Sequence, residues 1–251
     1  MIRVRLKLFN IAYGGAEIKK AIALALFIKY ECNSVIPHFS INKLHRLTGI
    51  HAETLRKRIK TMFNLGIAKF YHANLVVFGI NSRHKKSNFA MPREVFSYCK
   101  TVKHYERVLS QFLVVKIQLK KDFVKRNQDK LANPKNLKEF KKARQISRYY
   151  GYGNEPYKEY GLSYDGIAKK LGVSRKTAVK VVRGCVANGL LVKHRNYEQI
   201  YVKEKVAKRK EAYAFYTFST NNNVYIVHAN TYSLTSNLAS FYQKIAGNIC
   251  V

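Results

Sequence analysis

Acidic residues are scarce in this chain. Its 251 residues hold 14 Asp plus Glu against 47 Lys plus Arg, a formal net charge of +33. A folded protein with that charge repels itself at physiological salt, so it normally meets a polyanion, either nucleic acid or an anionic membrane surface. The balance excludes an ordinary secreted enzyme for small neutral substrates. Cysteine is scarce as well. Cys32, Cys99, Cys185 and Cys250 stand far apart, with no C-x-x-C and no short Cys/His pairing. That spacing excludes a zinc finger or ribbon and points to a reducing interior rather than a disulfide scaffold. Long hydrophobic runs are missing. Ala21 to Ile28 is apolar, but it is far shorter than the roughly 20 residues of a membrane helix. Lys19 and Lys20 precede it, Lys29 follows it, and no small-residue cleavage site appears, so it does not read as a signal peptide. It reads as a helix buried on most sides, in a cytoplasmic protein with no membrane partner. The chain has no Walker-type glycine loop, no H-E-x-x-H and no H-x-H. Its few acids form no cluster suited to two-metal chemistry. A His-Ala-Asn triplet at His72, and again at His228, lacks a second metal ligand in both places. The expectation is a protein that binds rather than catalyses and needs no cofactor.

What is present is a folded composition and a repeat. Apolar residues make up 47% of the chain, too many for simple disorder. Ser40 to Lys69 aligns without gaps on Ser163 to Val192. Ser40 matches Ser163, Leu44 matches Ile167 and Gly49 matches Gly172. Ile50 matches Val173, Thr54 matches Thr177, Lys57 matches Lys180 and Gly66 matches Gly189. Each copy reads the same way. A Ser N-cap opens a short helix with one apolar face. A Gly permits the tight turn into a second helix, and another Gly closes that helix. An apolar segment then reads as a strand, Ile67 to Phe70 in one copy and Leu190 to Lys193 in the other.

Helical spacing divides each second helix into two faces. In the first copy Leu55, Ile59 and Met62 point inward, leaving Thr54, Lys57, Arg58, Lys60 and Thr61 outside. In the second, Ala178, Val182 and Cys185 point inward. Ser174 is the expected N-cap, and Arg175, Lys176, Thr177, Lys180 and Arg183 line the outer side. No Asp or Glu occurs between Glu53 and Glu94, nor between Asp165 and Glu198. Both acid-free stretches span the second helix and the strands beyond it.

Each copy resembles the core of a winged-helix DNA-binding domain. The pattern L-x-x-x-x-G-[IV]-x-x-x-T leads into the recognition helix, and G-[IL] leads into the wing. The resemblance implies a mainly α, α+β fold: two winged-helix domains in tandem, 1–128 and 129–251, joined by a helical connector. Glu17 to Glu31 is the expected first helix, Val35 to Phe39 a short strand, and Leu75 to Ile80 the returning wing strand. The first wing tip falls at Tyr71 to Asn74 or at Asn81 to Asn88. Val102 to Val124 carries apolar residues at helical spacing, and Asn127 to Asn136 reads as a linker. Leu137 to Tyr150 reads as a basic helix and Ser236 to Ile245 as a closing one. Ile200 to Lys203, Ala212 to Phe218 and Val224 to His228 read as strands.

The function this implies is double-stranded DNA binding. Recognition helices enter the major groove, where Arg and Lys donate to guanine and Thr meets a base edge. Arg83, Lys85 and Lys86 in one wing, and Arg195 beside His194 and Asn196 in the other, are expected on the backbone or in a minor groove. One molecule can read two half-sites whether or not it forms a homodimer. Similar tandem domains occur in plasmid and phage replication initiators and in transcription regulators. The alternatives are a coating or packaging protein with no base choice, and single-strand or RNA binding through Tyr213, Tyr216 and Tyr225.

Overall fold

The computed structural model describes residues 2–13, 15–82, 88–92, 100–126, 163–194, 197–200, 216–220, 223–227 and 231–243. The chain is a mixed α and β structure, mainly helical, with small antiparallel sheets. It opens with β1 (Ile2–Arg5), α1 (Leu6–Ile11) and α2 (Ala16–Glu31). Then follow β2 (Val35–Ile36), α3 (Ile41–Thr48), α4 (Ala52–Asn64), β3 (Ala68–Tyr71), β4 (Asn74–Val77) and β5 (Asn88–Met91). A long helix, α5 (Val102–Arg126), leads towards α6 (Tyr164–Leu171), α7 (Arg175–Ala187), β6 (Leu191–His194) and β7 (Tyr197–Ile200). The last elements are β8 (Tyr216–Thr220), β9 (Asn223–Val227), β10 (Thr231–Leu234) and α8 (Ser236–Gln243).

α2 carries the run Ala21 to Ile28, and every residue of that run is buried. A helix apolar all round has to be covered on all sides. α4 covers it on one flank and α5 on another. The expected buried helix is therefore observed. Among the described residues no helix is long and apolar enough to cross a membrane.

β2, β4 and β3 form one sheet in that spatial order, both pairs antiparallel. The hairpin β3–β4 pairs Tyr71 with Asn74, so its turn is only His72 and Ala73. His72 takes φ 51° to make that turn. Of the two expected tips, the hairpin turn falls at Tyr71 to Asn74. β5 crosses to pair with β1. The Asn88 side chain closes the intervening loop, accepting from Ser82 N at 2.7 Å and donating to Ser82 O at 2.8 Å. Neither β1 nor β5 was expected from the sequence.

α5 is the spine of the molecule. Its Val102, Tyr105, Leu109, Phe112, Leu113 and Leu119 are buried. It packs on α2 along one side and on α6, α7 and β10 along another. At the second contact the Gln111 carbonyl accepts from Cys185 Sγ at 3.6 Å, and Gln111 Oε1 accepts from Asn188 Nδ2 at 3.0 Å. A single core cluster runs from Ile2 to Tyr242. α8 packs on β5: Tyr242 stacks on Phe89 at 5.5 Å and donates to Ala90 O at 2.9 Å.

The second repeat departs from expectation at its hairpin. His194, Arg195 and Asn196 were expected in the second wing, with Ile200 to Lys203 as the strand after β6. Instead β6 pairs with β10, while β7 pairs with β9 and β9 with β8 in a separate sheet. The register explains the change. Leu191 faces Leu234 and His194 faces Thr231, as Ala68 faces Val77 and Tyr71 faces Asn74 in the first repeat. Even the closing bonds correspond, Phe78 N to Ile67 O and Thr235 N to Leu190 O. The same hairpin is present twice. Where the first copy turns on two residues, the second holds the whole of 195–230.

Candidate nucleic-acid interface

The two helix pairs are built by the same local chemistry. Ser40 Oγ accepts from Lys43 N at 3.1 Å, and Ser163 Oγ accepts from Gly166 N at 3.0 Å, capping α3 and α6. Each helix then ends on a left-handed glycine, Gly49 at φ 66° and Gly172 at φ 60°. That conformation costs an L side chain energy, and glycine adopts it freely. The chain thereby reverses into α4 and α7.

α7 presents its outer side as the sequence predicts. Ala178, Val181, Val182 and Cys185 are buried, and Ser174, Arg175, Lys176, Thr177, Lys180 and Arg183 are exposed. Arg175 Nε lies 3.3 Å from Asp165 of α6, a surface pair worth little in water. Ser174 and Thr177 are occupied with each other. Ser174 Oγ accepts from Thr177 N at 3.3 Å and lies 2.9 Å from Thr177 Oγ1. Ser174 therefore caps α7, and its hydroxyl is committed to the helix end. Burial pushes the Cys185 thiol far above the usual range, so it is an inert part of the core.

α4 follows the same plan with one exception. Lys57 and Lys60 are exposed and Thr54 is half-buried. Arg58 was expected on the outer face, but it is 9% exposed. The period accounts for the correction: Leu55, Arg58, Ile59 and Met62 form the i, i+3, i+4, i+7 stripe, all of it buried. Arg58 turns towards α2, close enough for its charge to help hold the Glu17 carboxyl below its usual range. The leading cause of that lowering is the hydrogen bond from Lys20. Arg58 Nε is buried with no hydrogen-bond partner. The two helix starts also differ. His51 caps α4 without a side-chain bond, whereas Ser174 makes one.

Arg83, Lys85, Lys86 and Arg195 lie outside the described residues, as do the predicted linker and the basic helix at 137–150. Tyr213 does too, and Tyr216 and Tyr225 are placed only as strand backbone. Among the described residues, no three His, Cys, Asp or Glu side chains gather as metal ligands would.

No protein-family model, curated protein or solved structure matches the chain. The interface therefore rests on its own geometry.

Sequence reasoning passed over one group. Lys69 and Tyr71 of β3 are exposed, with Phe78 beyond the end of β4. The Lys69 ammonium lies 5.8 Å from the Tyr71 ring centre and 5.6 Å from that of Phe78. The strand alternation was a usable signal, since it puts Lys69 and Tyr71 on one face and Ala68 and Phe70 on the other.

Proposed function

We propose that this protein acts by binding double-stranded DNA through two winged-helix units, with no catalytic step and no cofactor. α4 and α7 are the recognition helices, and the hairpins β3–β4 and β6–β10 are the wings. The observation that carries this reading is the division of α7. Every cation on it is exposed, and every large apolar side chain at its inward positions is buried. A helix with that division can press its cationic side into a major groove without disturbing the core. Arg175, Lys176 and Lys180 sit in the first two turns, where base edges come within reach. On α4, Lys57 and Lys60 stand where Lys180 and Arg183 stand on α7. The sheet order β2–β4–β3 behind α4, and the repeated hairpin register, support the same reading. The biological setting proposed is the cytoplasm, in replication initiation or transcription control of a phage-like or plasmid-like element.

Competition binding tests the proposal. A site-specific reader holds its preferred duplex at least about a thousandfold over bulk DNA. Mapping bound fragments from native DNA then separates an origin from a promoter. Binding with no such preference would leave a coating protein, a role that the charge of +33 would also serve. No duplex binding at moderate salt would defeat both readings.

A further inference from the structure

The outer face of the β2–β4–β3 sheet has the wrong composition for a surface that only meets water. Val35, Val76 and Lys69 stand opposite one another across the three strands, so they share a face. Tyr71 lies two residues on from Lys69, and Phe78 two on from Val76, which places both on that face. On the other face Ala68, Leu75, Val77 and Ile36 are buried, and Phe70, 53% exposed, packs on Phe39 and Phe63 at 5.4 and 5.1 Å. A sheet with one face on the core normally turns polar side chains outward. This one turns out Tyr71, 57% exposed, and Phe78, 43% exposed, with the Lys69 ammonium over both rings. His72 adds an edge-on contact to Tyr71 at 4.4 Å.

Cations continue the strip beyond Phe78. A Cβ at Gly79 would lie 3.7 Å from Arg5 Nη2, so the exposed Arg5 guanidinium sits beside the next residue. Lys29 Nζ donates to Asn81 Oδ1 at 2.6 Å and lies 5.8 Å over the Tyr30 ring. No acid occurs in the sequence between Glu53 and Glu94, the stretch that holds Lys69, Tyr71 and Phe78.

We propose that this face binds single-stranded DNA, with bases stacked on Tyr71 and Phe78 and phosphates held by Lys69 and Arg5. Flat exposed rings recognise the faces of bases, and only unpaired bases offer them. A second copy of the chain is a poor occupant, because two molecules at +33 repel and Lys69 would be buried between them. The face shares the β3–β4 hairpin with the proposed first wing but lies apart from the outer side of α7, so a variant on α7 separates the two activities.

Fluorescence anisotropy of the whole chain with a labelled oligothymidylate tests it. Tyr71→Ala and Phe78→Ala each weaken single-strand binding about 5- to 100-fold, and Tyr71→Phe restores it. Both variants lose more on single strand than on duplex, whereas Lys180→Ala weakens duplex binding and leaves single-strand binding within about twofold. Oligonucleotides carrying 5-iodouracil supply a second readout on the unmutated protein. Photocrosslinks at Tyr71 or Phe78, located by mass spectrometry, support the assignment. Absent single-strand binding, crosslinks elsewhere only, parallel loss on single strand and duplex, or tighter binding to oligouridylate overturns it. So does a dimer in sedimentation that Tyr71→Ala dissociates.

Discussion

Gln111 of α5 lies directly over Gly184 of α7. A Cβ built on Gly184 would stand 2.4 Å from Gln111 Nε2. Gln111 is almost fully buried, and its Oε1 accepts from Asn188 Nδ2. The amide is therefore held where a methyl group would have to go. Gly184→Ala should gain about 1 kcal/mol of helix propensity. It should lose more by displacing the amide and leaving buried polar groups unpaired, at about 1–3 kcal/mol. The expected net is a loss of about 1 kcal/mol in urea unfolding. Gly184→Ala combined with Gln111→Ala should recover much of it, giving a non-additive double-mutant cycle. Additive losses would mean the two residues do not restrain one another.

Arg58 and Lys57 are neighbours on α4 with opposite surroundings, so their variants should part company. Lys57→Ala should weaken duplex binding, as should Lys180→Ala, its counterpart on α7. The loss in each case is about 1–3 kcal/mol if the side chain meets a base. Arg58→Leu should leave duplex affinity nearly unchanged and raise stability by about 1 kcal/mol, because it removes a buried unpaired donor. Thermal melts and anisotropy on the same samples read both effects. A loss of affinity in Arg58→Leu equal to that in Lys57→Ala would show that Arg58 swings outward to DNA.

Lys19 gives a pH dependence of definite sign. It is 3% exposed, and burial holds its ammonium below the usual lysine range. The nearby Glu106 carboxylate opposes that lowering, and the Lys20 cation adds to it. The unfolded chain therefore binds this proton more tightly than the folded one. Stability should rise as pH climbs from the lowered folded value towards the ordinary lysine range. Lys19→Met should flatten that part of the stability profile and add about 1 kcal/mol at neutral pH. Destabilisation at neutral pH would show instead that attraction to the Glu106 charge outweighs desolvation.

The matched hairpins make a prediction about 195–230. Among the described residues, β7, β8 and β9 pair only with one another. Replacing 195–230 by Asn-Gly, the favoured two-residue turn, should leave β6 and β10 in register and the melting temperature within a few degrees. Amide exchange at Val192 and Ser233 reads the hairpin directly. Loss of protection there would mean that the inserted sheet holds the two strands together.

Much of the helical framework was legible because local chemistry fixes it. Ser40, Gly49, Ser163 and Gly172 mark caps and turns within a few residues, and the apolar stripe of α7 emerges at helical spacing. Val102 to Val124 likewise lies within the observed α5. The strand partners were not legible, since β6 chooses β10 across a long separation and local pattern carries no register for that choice. β1 and β5 are short strands whose partners lie at opposite ends of the first half. Arg58 was misassigned by its charge. Its position on the helix put it inside, and position prevailed over residue type. The aromatic outer face was overlooked for the opposite reason, because Tyr71 and Phe78 resemble ordinary strand core until the sheet shows which side they occupy.

α5 gives the two repeats a common fate. It packs on α2 along one flank and on α6 and α7 along another, so each half of the molecule covers a side of the same helix. A fragment ending at Arg126 would leave one side of that rod bare to water, and a fragment starting at Ser163 would have nothing to close against. Duplicated though they are, the halves are not interchangeable modules, and denaturant should melt them together in one transition.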